Sequence, residues 1–165
     1  MTQTNQWIEI AIELEQHLQD PVANFLIELG AEGVITDEDI INPLTGTIKE
    51  ANAGGLAGQK LARLNIKAIV VEGRPSDSGM YLLKIDKNGA SLSPAGDLVG
   101  KGMYETDRLL WDQDGKVAVI GIGPAGEMKM AMAGISVNDR ENGPGRYAGR
   151  GGLGAVMGAK GLKAI

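Results

Sequence analysis

Hydrophobic and polar positions alternate strictly in the first apolar segment of the chain, which runs from Trp7 to Leu14 and reads WIEIAIEL. A period of two predicts a half-buried strand. Asp20 and Pro21 then have the residue types that begin a helix, and Gly30 is suited to end it. Between them Val22, Phe25, Leu26 and Leu29 share one helical face. With a short strand over Val34–Thr36, the pattern predicts a strand–helix–strand unit.

After about residue 40 the composition changes from glutamate and leucine to glycine and alanine, which suggests a boundary there. Beyond it, short periodic segments alternate between strand and helix patterns. The predicted helices are one with Ala57, Leu61 and Leu64 inward, one over Lys101–Trp111, and one with Leu153, Val156 and Met157 on a single face. The predicted strands are Ile66–Glu72, Met80–Ile85, Ala90–Leu92 after an Asn88-Gly89 hairpin turn, Lys116–Ile122, and a strand containing Ile135 and Val137.

Three methionines, Met128, Met130 and Met132, alternate with Lys129, Ala131 and Ala133. This spacing predicts a strand whose methionines pack in the core, since methionine fills irregular apolar space. A methionine metal site is the weaker interpretation of the same spacing.

Composition narrows the possible functions of the 165 residues. The net charge is −5, which argues against nonspecific nucleic-acid binding as the main role. No apolar run has membrane-spanning length and no signal peptide is visible, so a cytoplasmic protein with no membrane partner is expected. The chain has no cysteine and one histidine, His17, which excludes cysteine-ligated clusters and two-histidine metal sites within it.

Two glycine-rich turns are the candidate binding elements. The run from Gly143 to Ile165 contains eight glycines and two arginines, Arg146 and Arg150, and then enters a helix. Backbone amides and guanidinium groups together suit an anion such as phosphate. Another turn, which comes first in the chain at Asn52–Gly55, also opens into a helix and is a candidate for the opposite wall. The alternatives are a flexible glycine-rich tail, a plain helix-capping turn, and a small module that binds nucleotides or phosphate.

Two nucleotide-binding patterns are present only in part. Gly121, Gly123 and Gly126 match the dinucleotide fingerprint GxGxxG, and Asp139 lies at a plausible distance for a ribose carboxylate. No helix of adequate length follows, and too little chain remains for a dinucleotide domain, so nicotinamide or flavin binding is the weaker alternative. A Walker loop is excluded because Gly158-Ala159-Lys160 lacks the required GK[ST].

Residues 42–165 contain, in order, the segments NPLTGTIKEANAGG, IKAIVVEG, GKGMYETDRLL, VAVIGIGPAGE, ISVND and GRYAGRGGLGAVMGAKGLKAI. Together these resemble the N-terminal, pterin-binding domain of the tungsten-dependent aldehyde:ferredoxin oxidoreductases. The resemblance implies that residues 41–165 form an α+β domain, with mixed or antiparallel β-sheets and a few short helices. It also implies that a tungsten bis-molybdopterin cofactor lies on this domain.

The resemblance also implies the cofactor-binding residues. They are Asn52, Gly54 and Gly55 in the first turn, and Arg146, Tyr147, Ala148, Gly149 and Arg150 in the second. Asn52 and the backbone carbonyl of Tyr147 are the implied ligands of a magnesium ion that accompanies the pterin phosphates.

The family's cluster cysteines and helical catalytic domains have no counterpart in the chain. The expected partners are therefore those missing domains or a complementary subunit, with a homodimer as another possibility, and the isolated chain is expected to lack cofactor and turnover. Residues 1–39 instead resemble the opening strand–helix–strand of the methyltransferase that modifies a large-subunit ribosomal protein, without its methyl-donor site.

Two family fragments that meet near residue 40 suggest a chimera, whether a natural fusion, a gene-prediction artefact or an engineered recombination. Segment 1–40 and domain 41–165 could then be separate or share one merged core. The leading hypothesis is a truncated or fused tungstopterin-binding domain, and the alternative is a folded chimera with no native activity.

Overall fold

The computed structural model describes residues 8–14, 25–26, 51–139 and 143–165. The strands are β1 Ile8–Leu14, β2 Phe25–Leu26, β3 Ile66–Gly73, β4 Tyr81–Asp86, β5 Gly89–Pro94, β6 Ile120–Gly121, β7 Ile135–Asn138, β8 Pro144–Ala148 and β9 Leu162–Ala164. The helices are α1 Ala57–Arg63, α2 Met103–Asp114, α3 Pro124–Glu127 and α4 Leu153–Ala159. In these ranges no helix is long and apolar enough to cross a membrane.

The larger sheet has six strands in the order β5-β4-β9-β6-β7-β8. Strands β4 and β9 are parallel, and every other neighbouring pair in this sheet is antiparallel. Strands β4 and β5 form the predicted hairpin, with Asp86 opposite Gly89 and a backbone φ of 128° at Gly89 that favours glycine. The mixed sheet with short helices confirms the predicted α+β fold.

The two faces of this sheet are covered by different elements. On β4, Leu82 packs in a cluster with Leu110 of α2, whereas the next residue, Leu83, belongs to the larger cluster on the other side. That larger cluster includes Leu61 of α1 and Met157 of α4. The alternation of side chains along the strand therefore divides the core into two layers. The predicted helices at α1, α2 and α4 are confirmed.

The smaller sheet has the order β1-β3-β2. Strand β1 runs parallel to β3 with Leu14 opposite Gly73, so the strand predicted from the first alternating segment is confirmed over Ile8–Leu14. The helix predicted through Phe25 and Leu26 is wrong at these two residues, because they pair antiparallel with Val71 and Val70. Hydrogen bonding to the free edge of β3 outweighs the helical spacing there. The rest of that helix, the strand at Val34–Thr36 and the boundary near residue 40 lie outside the described residues.

The strand predicted through the three methionines is also wrong. Met128 follows α3, and the chain then turns, with the Met128 amide donating to the Pro124 carbonyl and the Met130 amide to the Ala125 carbonyl. Because these amides are satisfied locally, no sheet pairing is needed. The side chains of Met128, Met130 and Met132 are 62%, 51% and 87% exposed and so do not pack in the core. The strand predicted over Lys116–Ile122 is shorter than expected and reduces to β6.

A buried ion pair that the sequence pattern did not reveal connects β9 to its surroundings. The Lys163 ammonium, on the central strand, donates to the carbonyls of Lys101 and Ile122, each at 2.7 Å, and to Glu127 of α3. The Glu127 carboxylate also accepts from the Gly100 amide at 2.8 Å. The pair therefore ties three segments of the chain to the middle of the sheet.

Candidate functional site

The second glycine-rich run begins on the edge strand β8. Arg146 lies opposite Val137 and Tyr147 lies opposite Ser136 of β7. Residues opposite each other across an antiparallel pair point to the same face, and neighbours along a strand point to opposite faces. The side chains of Arg146 and Tyr147 are therefore on different faces of the sheet, and both are exposed.

The first glycine-rich turn packs on the Val137 face of β7. Gly55 has a φ of 118°, and a Cβ there would lie 2.6 Å from the Asn138 carbonyl oxygen and 2.8 Å from Val137 Cγ1. The Leu56 amide donates to the same carbonyl at 2.9 Å. A side chain at Gly54 would begin 3.9 Å from Cγ and Cδ of Arg146. The two turns, which are about 90 residues apart in the sequence, thus meet in space at Gly54 and Arg146.

Asn138 holds the first turn against β7, and the sequence did not identify it as a site residue. Its side chain is fully buried, accepts from the Val119 amide at 2.9 Å and donates to the Val117 carbonyl at 3.0 Å, while its backbone carbonyl holds Leu56. A buried amide with its hydrogen bonds satisfied fixes the relative position of three segments. The only sequence signal is a polar residue at the end of an apolar strand.

The arginines near this point are available to an anion. Arg146 and Arg150 are exposed, and neither forms an ion pair within the part of the chain that the structure describes. Ala148 is buried, so it can offer only backbone atoms to a ligand, whereas a Cβ at Gly149 would meet nothing within 4 Å. An unpaired guanidinium beside open glycine backbone is suited to a phosphate oxygen.

The two implied magnesium ligands lie on the turns that meet. Asn52 is exposed and precedes Gly54 by two residues, and Tyr147 follows Arg146 directly. The Tyr147 side chain points to the face of the sheet opposite that of Arg146, so the backbone carbonyl of Tyr147 is the group that could act as a magnesium ligand. Among the described residues no cluster of three or more histidine, aspartate or glutamate side chains could hold a metal ion. A magnesium ion at these turns would therefore need oxygens from the ligand itself.

Part of the glycine run serves packing and not binding. A Cβ at Gly154 would collide with the Gly134 carbonyl oxygen, and one at Gly158 would collide with the Gly126 carbonyl oxygen. The backbone of helix α4 therefore packs directly against the backbone of α3 and of the loop between α3 and β7. Gly126, the last glycine of the dinucleotide-like fingerprint, lies in this contact. The strand β6 before it is antiparallel to β7, so these residues do not form the parallel βαβ unit of a dinucleotide site.

Asp107 of α2 is a second feature that sequence reasoning missed. It is 2% exposed, and neither carboxylate oxygen has a hydrogen-bond partner among the described residues. Burial raises the pKa of Asp107 to about 7. A cavity of about 210 Å³ lies beside it, bounded by α2 and by Gly143 and Pro144 at the start of β8. A larger, mainly apolar cavity of about 490 Å³ lies beneath α1 and contains none of the predicted site residues.

The fold and site together define an α+β domain with two neighbouring glycine-rich turns and an exposed arginine at a sheet edge. Residues 40–165 match the family model of the aldehyde ferredoxin oxidoreductase N-terminal domain. The chain belongs to this family.

Curated relatives include the tungsten-containing aldehyde ferredoxin oxidoreductases of Pyrococcus horikoshii, 43% identical, and Pyrococcus furiosus, 42% identical, each over 126 residues. Each alignment covers 75% of this chain and 20% of the relative, so the chain spans about a fifth of their length. A solved structure described as the active site complex BamBC of benzoyl coenzyme A reductase with 1,5-dienoyl-CoA matches with a TM-score of 0.65 and 30% identity. It covers 76% of this chain and 18% of that chain.

Proposed function

We propose that this chain is a cofactor-binding domain that holds the phosphates of a tungsten bis-molybdopterin. Asn52, Gly54 and Gly55 form one wall of the site, and the segment from Arg146 to Arg150 forms the other. The observation that carries the proposal is the proximity of the two turns, since a Cβ at Gly54 would lie 3.9 Å from Cγ and Cδ of Arg146. The two Pyrococcus relatives are named as tungsten-containing enzymes, which supports tungsten as the metal.

The chemistry of the two walls is complementary to a phosphorylated pterin. Arg146 and Arg150 supply positive charge that no carboxylate of the described residues neutralises by an ion pair. Charge-assisted hydrogen bonds from guanidinium to phosphate are about twice as strong as neutral ones. The overall charge of −5 repels anions elsewhere on the molecule, so binding depends on this local cluster. A magnesium ion between Asn52, the Tyr147 carbonyl and the phosphates completes the proposed site.

The bound tungsten cofactor supplies the oxidation of an aldehyde to a carboxylate, with ferredoxin as the electron acceptor. The residues of this chain bind and orient the phosphate end of the cofactor. The 165 residues contain no cysteine and hence no cysteine-ligated cluster that could carry the electrons away. We therefore propose that turnover requires groups outside these 165 residues, in catalytic domains or in a complementary subunit, in the cytoplasm.

Cofactor binding is tested by anaerobic expression with tungstate, followed by metal analysis and pterin fluorescence of the purified protein. Although the isolated chain is expected to lack cofactor without supplementation, the proposal requires tungsten and pterin in the supplemented wild type and at least tenfold less in Arg146→Gln. The matched control is Arg108→Gln, since Arg108 is an exposed arginine on α2 that pairs with Asp112. Wild-type protein without tungsten, molybdenum or pterin after supplementation would refute the proposal.

The alternative is a folded chimera without native activity, in which the methyltransferase-like residues 1–39 complete the oxidoreductase-like domain as one merged core. The pairing of β1 with β3, parallel over Ile8–Leu14, supports it. Because a strand that belongs to the core is needed for stability, deletion of residues 1–39 should abolish cooperative melting. A domain that melts cooperatively and unchanged after this deletion would contradict the merged core.

A further inference from the structure

The larger cavity, of about 490 Å³ beneath α1, is a slot between two parts of the six-stranded sheet. One wall is β4, through residues 82–86, and the other wall is formed by residues 117–120. Ile165, which directly follows β9, also lines the slot. Strand β9 pairs with β4 on one side and with β6 on the other. The slot therefore lies in line with β9, between the same two neighbours.

The β4 wall has backbone groups that no strand of the described residues pairs on this side. The pairing of β4 with β9 ends where Leu82 lies opposite Ala164. On its other side β4 forms the hairpin with β5, in which Asp86 lies opposite Gly89 across a two-residue turn. Hydrogen-bonded and non-hydrogen-bonded pairs alternate from such a turn. The backbone N–H and C=O of Ile85 therefore point away from β5 and into the slot.

The opposite wall has open backbone groups as well. Ile120 exchanges both of its backbone hydrogen bonds with Ile165, at 2.9 and 2.8 Å. Val119 bonds in the opposite direction, because its amide donates to the Asn138 side chain and its carbonyl accepts from the Asn138 amide. In extended backbone the direction alternates from residue to residue, so the N–H and C=O of Ala118 point into the slot. Neither group has a hydrogen-bond partner in the part of the chain that the structure describes.

The two walls are in register for one inserted strand. For a strand in line with β9, the second residue beyond Ile165 would lie opposite Ala118 on one side and opposite Ile85 on the other. That residue would exchange hydrogen bonds with Ala118 across an antiparallel pair, and its two neighbours would bond to Ile85 across a parallel pair. The pairing already present at β9 thus continues into the slot without a shift.

Both faces of the slot are apolar. Leu61 and Leu64 of α1 line it from one layer of the core, and Leu110 of α2 lines it from the other. A strand that is buried on both faces has apolar residues at successive positions and not at alternate ones. The side chains that fit this slot are therefore those of a continuous apolar segment.

We propose that the slot binds an extended apolar strand from polypeptide outside these 165 residues, parallel to β4 and antiparallel to residues 118–120. The strand completes the hydrogen bonds of Ala118 and Ile85 and fills the space between the two core layers. The relatives have the length to supply such a strand, since the chain spans about a fifth of them. The inference rests on the sheet and is independent of the proposed cofactor site.

The test adds four residues directly after Ile165 of the full chain. The added sequence is Val-Val-Glu-Gly, taken from β3, because Ile66–Gly73 reads IKAIVVEG and residues 162–165 read LKAI. One control adds Pro-Pro-Glu-Gly, since proline cannot donate to a ladder of hydrogen bonds. A second control adds Ser-Asn-Glu-Gly, which is polar at the two positions that enter the slot.

The Val-Val-Glu-Gly extension should raise the melting temperature by roughly 5 °C over the wild type, because it buries apolar side chains in the slot. Hydrogen exchange of the Ala118 amide should become at least tenfold slower, since this amide gains an acceptor. The reference is the Val119 amide, which already donates to Asn138. The two control extensions should change neither the melting temperature nor the exchange of Ala118.

Three results would each overturn the proposal. One is a Val-Val-Glu-Gly extension that leaves the melting temperature and the Ala118 exchange as they are in the wild type. Another is an equal gain from all three extensions, which would show that the pairing and the apolar side chains play no part. The third is a wild-type dimer, seen by light scattering, that dissociates when Val-Val-Glu-Gly is added, since a second copy would then fill the slot.

Discussion

The Lys163–Glu127 ion pair is the interaction whose loss should cost the fold the most. The two side chains are 0% and 11% exposed, and Lys163 satisfies two backbone carbonyls besides the carboxylate. Lys163→Met keeps the length of the side chain but leaves Glu127 charged and without its partner. Removing one member of a buried pair typically costs about 3–5 kcal/mol. For a domain of this size, about 2–4 °C of melting temperature is lost per kcal/mol, so we expect a decrease of roughly 10 °C.

Thermal and urea unfolding of Lys163→Met, Glu127→Gln and the double variant measure this effect. Because both single variants break the same contact, the double variant should be less destabilised than the sum, with a coupling of about 0.5–3 kcal/mol. The matched control is Lys84→Met, since the pair of Lys84 with Asp114 has side chains 38% and 34% exposed. Its loss should cost less than about 1 kcal/mol. Equal destabilisation by Lys163→Met and Lys84→Met would refute the reasoning.

Three further predictions, on packing and on ionisation, are tested by urea unfolding. Gly158→Ala should lower the free energy of unfolding by more than about 2 kcal/mol by overpacking against the Gly126 carbonyl. The control Gly123→Ala, where a Cβ meets nothing within 4 Å, should be near neutral. Equal losses of stability in the two variants would contradict the packing. Between pH 4 and 7 the folded state holds a proton on Asp107 that the unfolded state has released, because burial raises its pKa to about 7. Wild-type stability should therefore fall, relative to Asp107→Asn, by up to about 1.4 kcal/mol per pH unit as the pH rises through this window, and parallel pH profiles would be contrary evidence. Burial lowers the pKa of Lys160 to about 8, although Glu72 opposes the shift. Between pH 8 and 10 the unfolded state therefore binds a proton that the folded state does not, and wild-type stability should rise with pH relative to Lys160→Met. Equal pH dependence of stability in the two proteins would show that Lys160 is solvated.

Local periodicity predicted the elements whose partners are near in sequence or whose apolar face is continuous. The Asn88-Gly89 hairpin and helix α2 follow from turn chemistry and from a 3.6-residue repeat, and both are present. Phe25 and Leu26 fit a helical repeat as well, but β3 offers them a free edge. Such an outcome depends on a partner about 45 residues away, which no local window contains.

The candidate site was likewise predicted only in part from the sequence. Residue types and the family resemblance predicted which residues line the two turns, but not the contacts that hold them. Asn138 joins the turns through one side-chain amide and one carbonyl, and Asp107 lies at a cavity formed by segments more than 30 residues apart. Burial of a single polar side chain leaves no periodic trace in the sequence, so these residues could be found only in three dimensions.

Glycine in this domain has two separable roles, and the separation sharpens the proposed site. The backbone at Gly154 and Gly158 is packed against other backbone, so the role of these two glycines is to let α4 approach its neighbours. A Cβ at Gly149 would meet nothing within 4 Å, and a Cβ at Gly54 would meet only the methylene groups Cγ and Cδ of Arg146. A glycine with free space beside it allows a ligand to approach the backbone closely. A glycine packed against another backbone segment allows two elements of the fold to approach each other closely. The surface that remains for a phosphorylated ligand is therefore the short stretch around Gly54, Arg146 and Gly149, and the rest of the glycine-rich run positions it.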